Sequence, residues 1–333
     1  MKSFWQKMDF RFVISREMGE GRGEDSFYSA QLPDSAVSAV FDGCGGLGSR
    51  MYPDYSRRTG AYMAARAASG ALHDWYHASA GGRDGQSGPA LAGRITDYLD
   101  GALRVVHDHA GDPGRIFGTM VRDFPTTAAI ALARSAGEEI EVDCFWAGDS
   151  RIYLLDRQGL AQLTRDDVYG NDAMTNLRSD GALSNVISSD RKYELHAGRP
   201  LRIREEEPCI IFAATDGCFG YLPSPMDFED VLLHCLLQAR APEDFRQRLD
   251  TSIRAVAGDD FTMALMSFGF GDFESMQKEL ADRERVLQQR FMDRLGPDPS
   301  LELQQEVWED YRPDYERLLP AAPDRKAAPS APV

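Results

Sequence analysis

The spacing of hydrophobic positions changes several times along this chain, and each change marks a new kind of element. From Asp9 to Gly43 the apolar residues alternate: Phe10, Phe12 and Ile14 lie on one side of DFRFVIS, and SFYSAQL and SAVSAVFDG follow across the turn-forming LPD. Alternation predicts half-buried strands. Beyond Tyr55 the spacing becomes three and four. This predicts one helix over SRRTGAYMAARAASGALHDWYHAS, ended by AGGRDGQSG, and a second over LAGRITDYLDGALRVVHDHA. Four strands then come in quick succession, TTAAIALARS, EIEVDCFWAG, SRIYLLDR and GLAQLT, and their short links predict an antiparallel meander. Residues 166–198 are polar and irregular, the signature of a flap-like functional loop or small subdomain. The sheet pattern resumes in PLRIREEEPCIIFAATDG, the helices DFEDVLLHCLLQAR and PEDFRQRLDTSIRAVA come next, and FTMALMSFGF is the last strand. Strands and helices segregated in this way predict a layered α+β fold.

After Gly271 the pattern narrows to one stripe, Met276, Leu280, Leu287, Phe291 and Leu295, on an otherwise charged helix. GPDP breaks it, and a second helical stretch runs through Trp308, Tyr311 and Leu318. The expected organisation is a domain over 1–271, a C-terminal helical extension over 272–320 packed on that domain, and a disordered low-complexity tail over 321–333.

Composition narrows the classes of partner. With 333 residues, 43% of them hydrophobic, the chain can bury a full core. Its 37 basic residues against 53 acidic ones leave a net charge of −16, which excludes nucleic acid and anionic membrane as partners of the surface as a whole. A phosphoanion substrate therefore needs local positive charge, which a divalent metal supplies. No run of eighteen apolar residues occurs and MKSFWQKMDF has no apolar signal-peptide core, so a cytoplasmic location is expected. The five cysteines include no CxxC pair, which argues against a disulfide framework or a zinc ribbon. His73 and His77 share a helix face without an HExxH context and read as solvated or capping residues.

The chemistry lies in the acids. SAVFDG, FWAGDS and FAATDG each end an apolar run on an aspartate, Asp42, Asp149 and Asp216, and Glu24-Asp25 and Asp259-Asp260 flank two further strands. Singly, each is a turn. Gathered together, such carboxylates raise one another's pKa and call for cations. Hard divalent ions take carboxylate and carbonyl oxygens, with water completing the shell. Asp42 with the Gly43 carbonyl, Asp216 and Asp259 offer such a shell for a two-metal centre, which acidifies a water for in-line attack on phosphorus.

In order, EDSFY, AVFDGCGGLG, TTAAIAL, AGDSRIYLLDRQGLAQLT, ATDGCF and GDDFTMAL resemble, from about residue 9 to 270, the metal-dependent serine/threonine protein phosphatases of type 2C, the PPM family. The resemblance implies a four-layer α-β-β-α sandwich of two antiparallel sheets flanked by helix pairs, with two Mn2+ or Mg2+ ions at one end. Carried over by motif, Asp42 bridges both ions and Gly43 gives its carbonyl to one. Asp216 and Asp259 hold the second, Glu24 and Asp25 support through water, and Asp149 with Asp216 serves a weaker third ion. The implied substrate is a phosphoserine or phosphothreonine protein, opposed by a serine/threonine kinase, and the implied enzyme is a bacterial-type monomer.

Three departures stand out. Glu20 occupies the place of a phosphate-binding arginine, leaving Arg22, two residues later, and Arg16, four earlier, as candidates. Cys44 replaces a histidine common among eukaryotic members and reads as filling space. Asp166-Asp167-Val168 stands where another histidine is usual, so substrate choice is expected in the 166–198 loop. A non-catalytic relative that binds a phosphoprotein or regulatory partner is the competing class. Glu20 favours it, whereas retention of Asp42, Asp149, Asp216 and Asp259 favours catalysis.

Overall fold

Strand register sorts large from small side chains before any helix is placed. A computed structural model describes residues 8–82, 86–110, 122–168, 173–174, 182–204, 206–296 and 299–321. One sheet runs β1 (Met8–Arg16), β13 (Phe261–Phe268), β12 (Cys209–Ala214), β8 (Arg151–Asp156) and β9 (Gly159–Gln162), all antiparallel. Phe12, Leu265, Phe212 and Tyr153 align across it in one row, while Val13, Ala264, Ala213 and Ile152 form the next row on the opposite face. Side chains alternate between faces, so the first row meets helices and the second meets the other sheet.

That second sheet holds β2 (Ser26–Leu32), β3 (Ser35–Phe41), β6 (Ala128–Ala136) and β7 (Glu139–Ala147), with β10 (His196–Ala197) and β11 (Leu201–Ile203) on the free edge of β7. The layer between the sheets is built largely of small residues, Ala36, Ala129, Ala131, Ala133, Ala213 and Ala264 among them. Helices α1 (Gly60–Ala78) and α2 (Pro89–His109) cover the outer face of the second sheet through Ala64, Ala68, Leu72, Trp75, Ile95 and Leu99. Helices α3 (Pro225–Gln238) and α4 (Pro242–Arg254) cover the first. The result is the expected four-layer α-β-β-α sandwich.

Two expectations need correction. The predicted meander breaks after β7: β6–β7 and β8–β9 are hairpins in different sheets, and Gly148-Asp149-Ser150 carries the chain from one to the other. Gly148 sits at φ +92°, and a Cβ there would approach Thr127 Cγ2 to 2.7 Å, so only glycine makes this tight passage. The first helix begins at Gly60 and not near Tyr55. Ser56 and Arg57 have positive φ, a short pair of strands joins β4 (Met51–Tyr52) to β5 (Arg58–Thr59), and Thr59 caps the helix by accepting the N–H of Tyr62.

Of the stripe beyond Gly271, Met276, Leu280, Leu287 and Phe291 are buried and Leu295 is half-buried. Helix α5 (Phe273–Leu287) continues through a π-turn (Gln288–Met292) into the short α6 (Asp293–Leu295), and α7 (Leu301–Tyr315) returns. Met276, Leu280, Leu287 and Phe291 join Val307, Trp308, Tyr311 and Tyr315 in the core beneath the first sheet. The ion pair Arg283–Glu229, 2.6 Å and fully buried, ties α5 to α3, and Tyr311 donates its hydroxyl to the same Glu229. Of the tail over 321–333 only Ala321 is described; the rest lies outside the described residues, as does part of the 166–198 loop. Among the described residues no helix is long and apolar enough to cross a membrane.

Candidate active site

Antiparallel pairing brings every predicted acid to one end of the sandwich. Ser26 pairs Phe41 and Ala128 pairs Ala147, so Glu24-Asp25, Asp42 and Gly148-Asp149 leave the second sheet at the same edge. Ala214 pairs both Arg151 and Met263, so Asp216 and Asp259-Asp260 leave the first sheet beside them. The acids therefore come from both sheets and meet at the seam.

Their titration reports the crowding. Burial, with Asp216, Asp25 and Asp149 beside it, pushes the Asp42 carboxyl well above the usual carboxylate range. Burial and the charge of Asp216 push Asp149 up to about 8. Burial also raises Asp25 to about 8, against the hydrogen bond it accepts from Thr215 Oγ1 at 2.9 Å. Burial raises Asp216, and Asp259 adds to the effect. Four half-buried carboxyls held up in this way mark a place with more negative charge than the protein balances.

Hydroxyls and backbone fix the frame around them. Asp42 donates its N–H to Thr127 Oγ1 at 3.2 Å, its carbonyl accepts from Thr126 Oγ1 and from the Thr127 N–H, both at 2.8 Å, and Thr127 shares a 2.6 Å hydrogen bond with Ser150. Gly43 is needed for close approach rather than for a left-handed turn: a Cβ there would stand 2.6 Å from the Ala61 carbonyl oxygen and 2.9 Å from that of Glu24. Thr59, the cap of α1, donates its hydroxyl to Glu24 Oε1. Burial raises Glu24 as well, with Asp260 and Asp259 contributing and Arg66 opposing.

The last acid pair divides its work. Asp260 takes the N–H of Met18 at 2.7 Å and that of Glu24 at 2.8 Å, one on each oxygen. Asp259 is exposed and, among the described residues, accepts only the Asp260 N–H, at 2.8 Å. Cys44 is half-buried with its thiol turned to the Asp42 carbonyl at 3.9 Å, and burial beside Asp42 pushes it well above the ordinary thiol range.

Among the described residues, no three acids, histidines or cysteines close into a ready-made ligand cage. The donor set is nevertheless that of a hard cation, with carboxylates too numerous for their surroundings and backbone carbonyls packed against Gly43. Sites of this kind keep several waters and need few direct protein ligands.

Beside the two arginines singled out in the sequence, the structure places two others near the Glu24 loop. Arg16 is committed to Asp250, with both of its bonds at 2.6–2.7 Å, and Arg22 is exposed on the outer loop. Arg58 instead donates to the Gly21 carbonyl, and Arg66 donates to those of Gly23 at 3.2 Å and Tyr62 at 3.4 Å. Both guanidiniums stack on the Tyr62 ring, at 4.4 and 3.5 Å. Among the described residues neither forms a salt bridge, and the charge of Arg66 acts on Glu24 from a distance. The i,i+4 pair Tyr62–Arg66 at the start of a helix was the readable sign.

On the flap side, a cavity of about 960 Å³ is lined by Trp146, Arg165, Asp167, Tyr193, His196 and Pro320, and by none of the clustered aspartates. His196 sits there against Asp167, 3.0 Å from Nε2, and Trp146.

The protein phosphatase 2C family profile matches residues 17–254, more than half of the chain. Fold and sequence thus define a serine/threonine protein phosphatase. The chain belongs to the protein phosphatase 2C family. Solved structures with the same fold include PppA of Pseudomonas aeruginosa, described as a key regulatory component of T6SS (20% identity, TM-score 0.52, 78% of this chain and 97% of that one). Stp1, a serine/threonine phosphatase from Staphylococcus aureus, is similar at 12% identity and TM-score 0.54, over 80% of this chain and 99% of that one. The Mycobacterium tuberculosis serine/threonine phosphatase PstP/Ppp is similar at 15% identity and TM-score 0.51, over 78% and 99%. No curated protein matches the sequence.

Proposed function

We propose that this chain hydrolyses phosphoserine or phosphothreonine in proteins with two divalent ions, Mn2+ or Mg2+, held by Asp42, the Gly43 carbonyl, Asp216 and Asp259. The carrying observation is the group of half-buried carboxyls, Asp25, Asp42, Asp149 and Asp216, delivered from both sheets and each held above its ordinary pKa. Bound there, the ions supply an acidified water and charge for the phosphoryl oxygens. Asp149 with Asp216 serves a weaker third ion, and Glu24 and Asp25 act through water. Asp260 keeps the loop carrying Glu24 in place, which leaves Asp259 as the ligand of the pair.

Arg66 and Arg58, rather than Arg22, hold the phosphate oxygens. They offer unspent N–H groups on a fixed ring face beside Glu24, and arginine's planar fork suits phosphate. The substrate is a phosphoprotein charged by a serine/threonine kinase, selected through residues 166–198, and the enzyme acts as a cytoplasmic monomer with its 1–271 domain catalytic.

The test is hydrolysis of p-nitrophenyl phosphate and of a phosphothreonine peptide, with and without Mn2+, by the wild type and by Asp42→Ala. The wild type turns over only with metal, and the variant loses on the order of 10²–10³-fold in kcat. A wild type without metal-dependent turnover would establish the other reading, a phosphoprotein-binding relative, for which exposed Glu20 in place of the usual arginine is the supporting observation.

A further inference from the structure

The C-terminal helix approaches the acidic seam through the hydroxyl of Tyr315, which bonds Gln162 and Arg151. Tyr315, in the last turn of α7, is 1% exposed; its hydroxyl donates to Gln162 Oε1 at 2.8 Å and receives an N–H from Arg151 at 3.4 Å. Gln162 donates onward to Asp166 Oδ1 at 3.0 Å, and Arg151 grips both Asp166 oxygens at 2.9 and 2.7 Å. The neighbouring Asp167 straps the sheet crossover. Its N–H donates to the Gly148 carbonyl at 2.9 Å, and Gly148 returns its own N–H to Asp167 Oδ2 at 3.1 Å. The next residue is Asp149.

We propose that Tyr315 is a positioning residue of the phosphatase site, holding through Gln162, Arg151 and Asp166 the turn that presents Asp149. The inference rests on the phosphatase reading above. Each link is a direct hydrogen bond or a peptide bond, and Arg151 and Gln162 are 2% and 3% exposed, so water cannot readily replace a lost partner. Without the hydroxyl, Gln162 Oε1 loses its donor and Arg151 Nη1 is left with the Tyr153 hydroxyl at 3.2 Å, which loosens the hold on Asp166 and the strap beside it.

Helix α7 provides its own control. Tyr311, one turn earlier and fully buried, donates its hydroxyl to Glu229 in the Arg283 ion pair, away from the crossover. Tyr311→Phe and Tyr315→Phe each remove one buried hydroxyl from the same helix. Both lower the melting temperature.

In the full-length chain, Tyr315→Phe alone lowers kcat for p-nitrophenyl phosphate about five-fold, the size of one buried hydrogen bond, with KM within about two-fold. The loss disappears in an Asp149→Asn background, because the two changes share one route. Calorimetric titration with Mn2+ alone, which needs no turnover, shows the weakest-bound ion loosened about five-fold in Tyr315→Phe and unchanged in Tyr311→Phe. Wild-type kcat and a wild-type Mn2+ isotherm for Tyr315→Phe overturn the proposal, as does a kcat loss matched by Tyr311→Phe or retained with Asp149→Asn. A wild type that binds Mn2+ without turnover sinks the phosphatase reading, and the isotherms then decide the role of Tyr315. A wild type that binds no Mn2+ overturns both.

Discussion

The backbone N–H of Glu24 donates to Asp260 Oδ2 at 2.8 Å, a link between residues 236 positions apart. The other Asp260 oxygen holds Met18, so one carboxylate fixes both ends of the loop in front of β2. Asp260→Ala leaves two backbone donors without their acceptor and is expected to cost about 1–3 kcal/mol, read from urea unfolding. Asp259→Ala, at an exposed carboxylate, leaves unfolding within about 0.5 kcal/mol of the wild type and weakens Mn2+ binding. The opposite pattern would assign the ligand to Asp260.

Crowded acids make the metal-free protein less stable than it need be. Burial and the charges of Asp216, Asp25 and Asp149 all raise the Asp42 carboxyl. Asp42→Asn removes that repulsion and is expected to stabilise the chelator-treated protein by about 1–2 kcal/mol. Saturating Mn2+ raises the wild-type melting temperature, about 2.7 kcal/mol of stabilisation at one hundred times the dissociation constant, and the variant loses most of that rise. A metal-free variant less stable than the wild type counts against the acid cluster as the metal site.

Arg66 and Arg58 make a prediction about product as well as substrate. Arg66→Ala should raise KM for a phosphopeptide and the inhibition constant of inorganic phosphate together, by about ten-fold, the size of one charge-assisted hydrogen bond. Arg58→Ala does the same more weakly, whereas Arg22→Glu changes neither. If Arg22→Glu alone raises both constants, phosphate capture returns to the outer loop.

His196 ties stability to pH on the flap side. Burial alone would push its pKa down, but Asp167, 3.0 Å from Nε2, and Glu194, 3.5 Å from Nδ1, outweigh it and hold the imidazole above the ordinary 6.5. A pKa raised by folding gives stability that is complete below the unfolded value and disappears as pH climbs through the folded one. The stability advantage of the wild type over His196→Gln is therefore expected to be full at pH 6 and to shrink by pH 9, measured by urea unfolding at each pH. An advantage that grows with pH would mean that the imidazole is neutral in the fold.

Local grammar made much of this legible. Strand alternation placed β1, β2 and β3, and each Asp after an apolar run stood where a strand ended, so the acids were readable one by one. What the period could not convey was which strands share a sheet. EIEVDCFWAG and SRIYLLDR look like neighbours in a meander because two residues of turn look alike whether the chain folds back or crosses over. Only the contact of Gly148 with Thr127, residues distant in sequence, separates the two. The proposed phosphate-binding arginines were not legible for the same reason: Arg58 and Arg66 lie on a helix start whose distance to Gly21 and Gly23 exists only in three dimensions.

The alanines between the sheets act as a ruler. Ala129, Ala131 and Ala133 face Ala213 and Ala264, and the seam where Asp42 from one sheet meets Asp216 from the other lies at the end of that layer. The distance between Asp42 and Asp216, which the proposed ions would span, is thus set from a layer of methyl groups. Enlarging one, as in Ala131→Val, widens the jaw as well as overpacking the interior by about 1–3 kcal/mol. In this chain, tolerance of the interior to larger side chains and the reach between acids are one quantity, so sequences that drift in that layer drift in the spacing of the proposed ligands too.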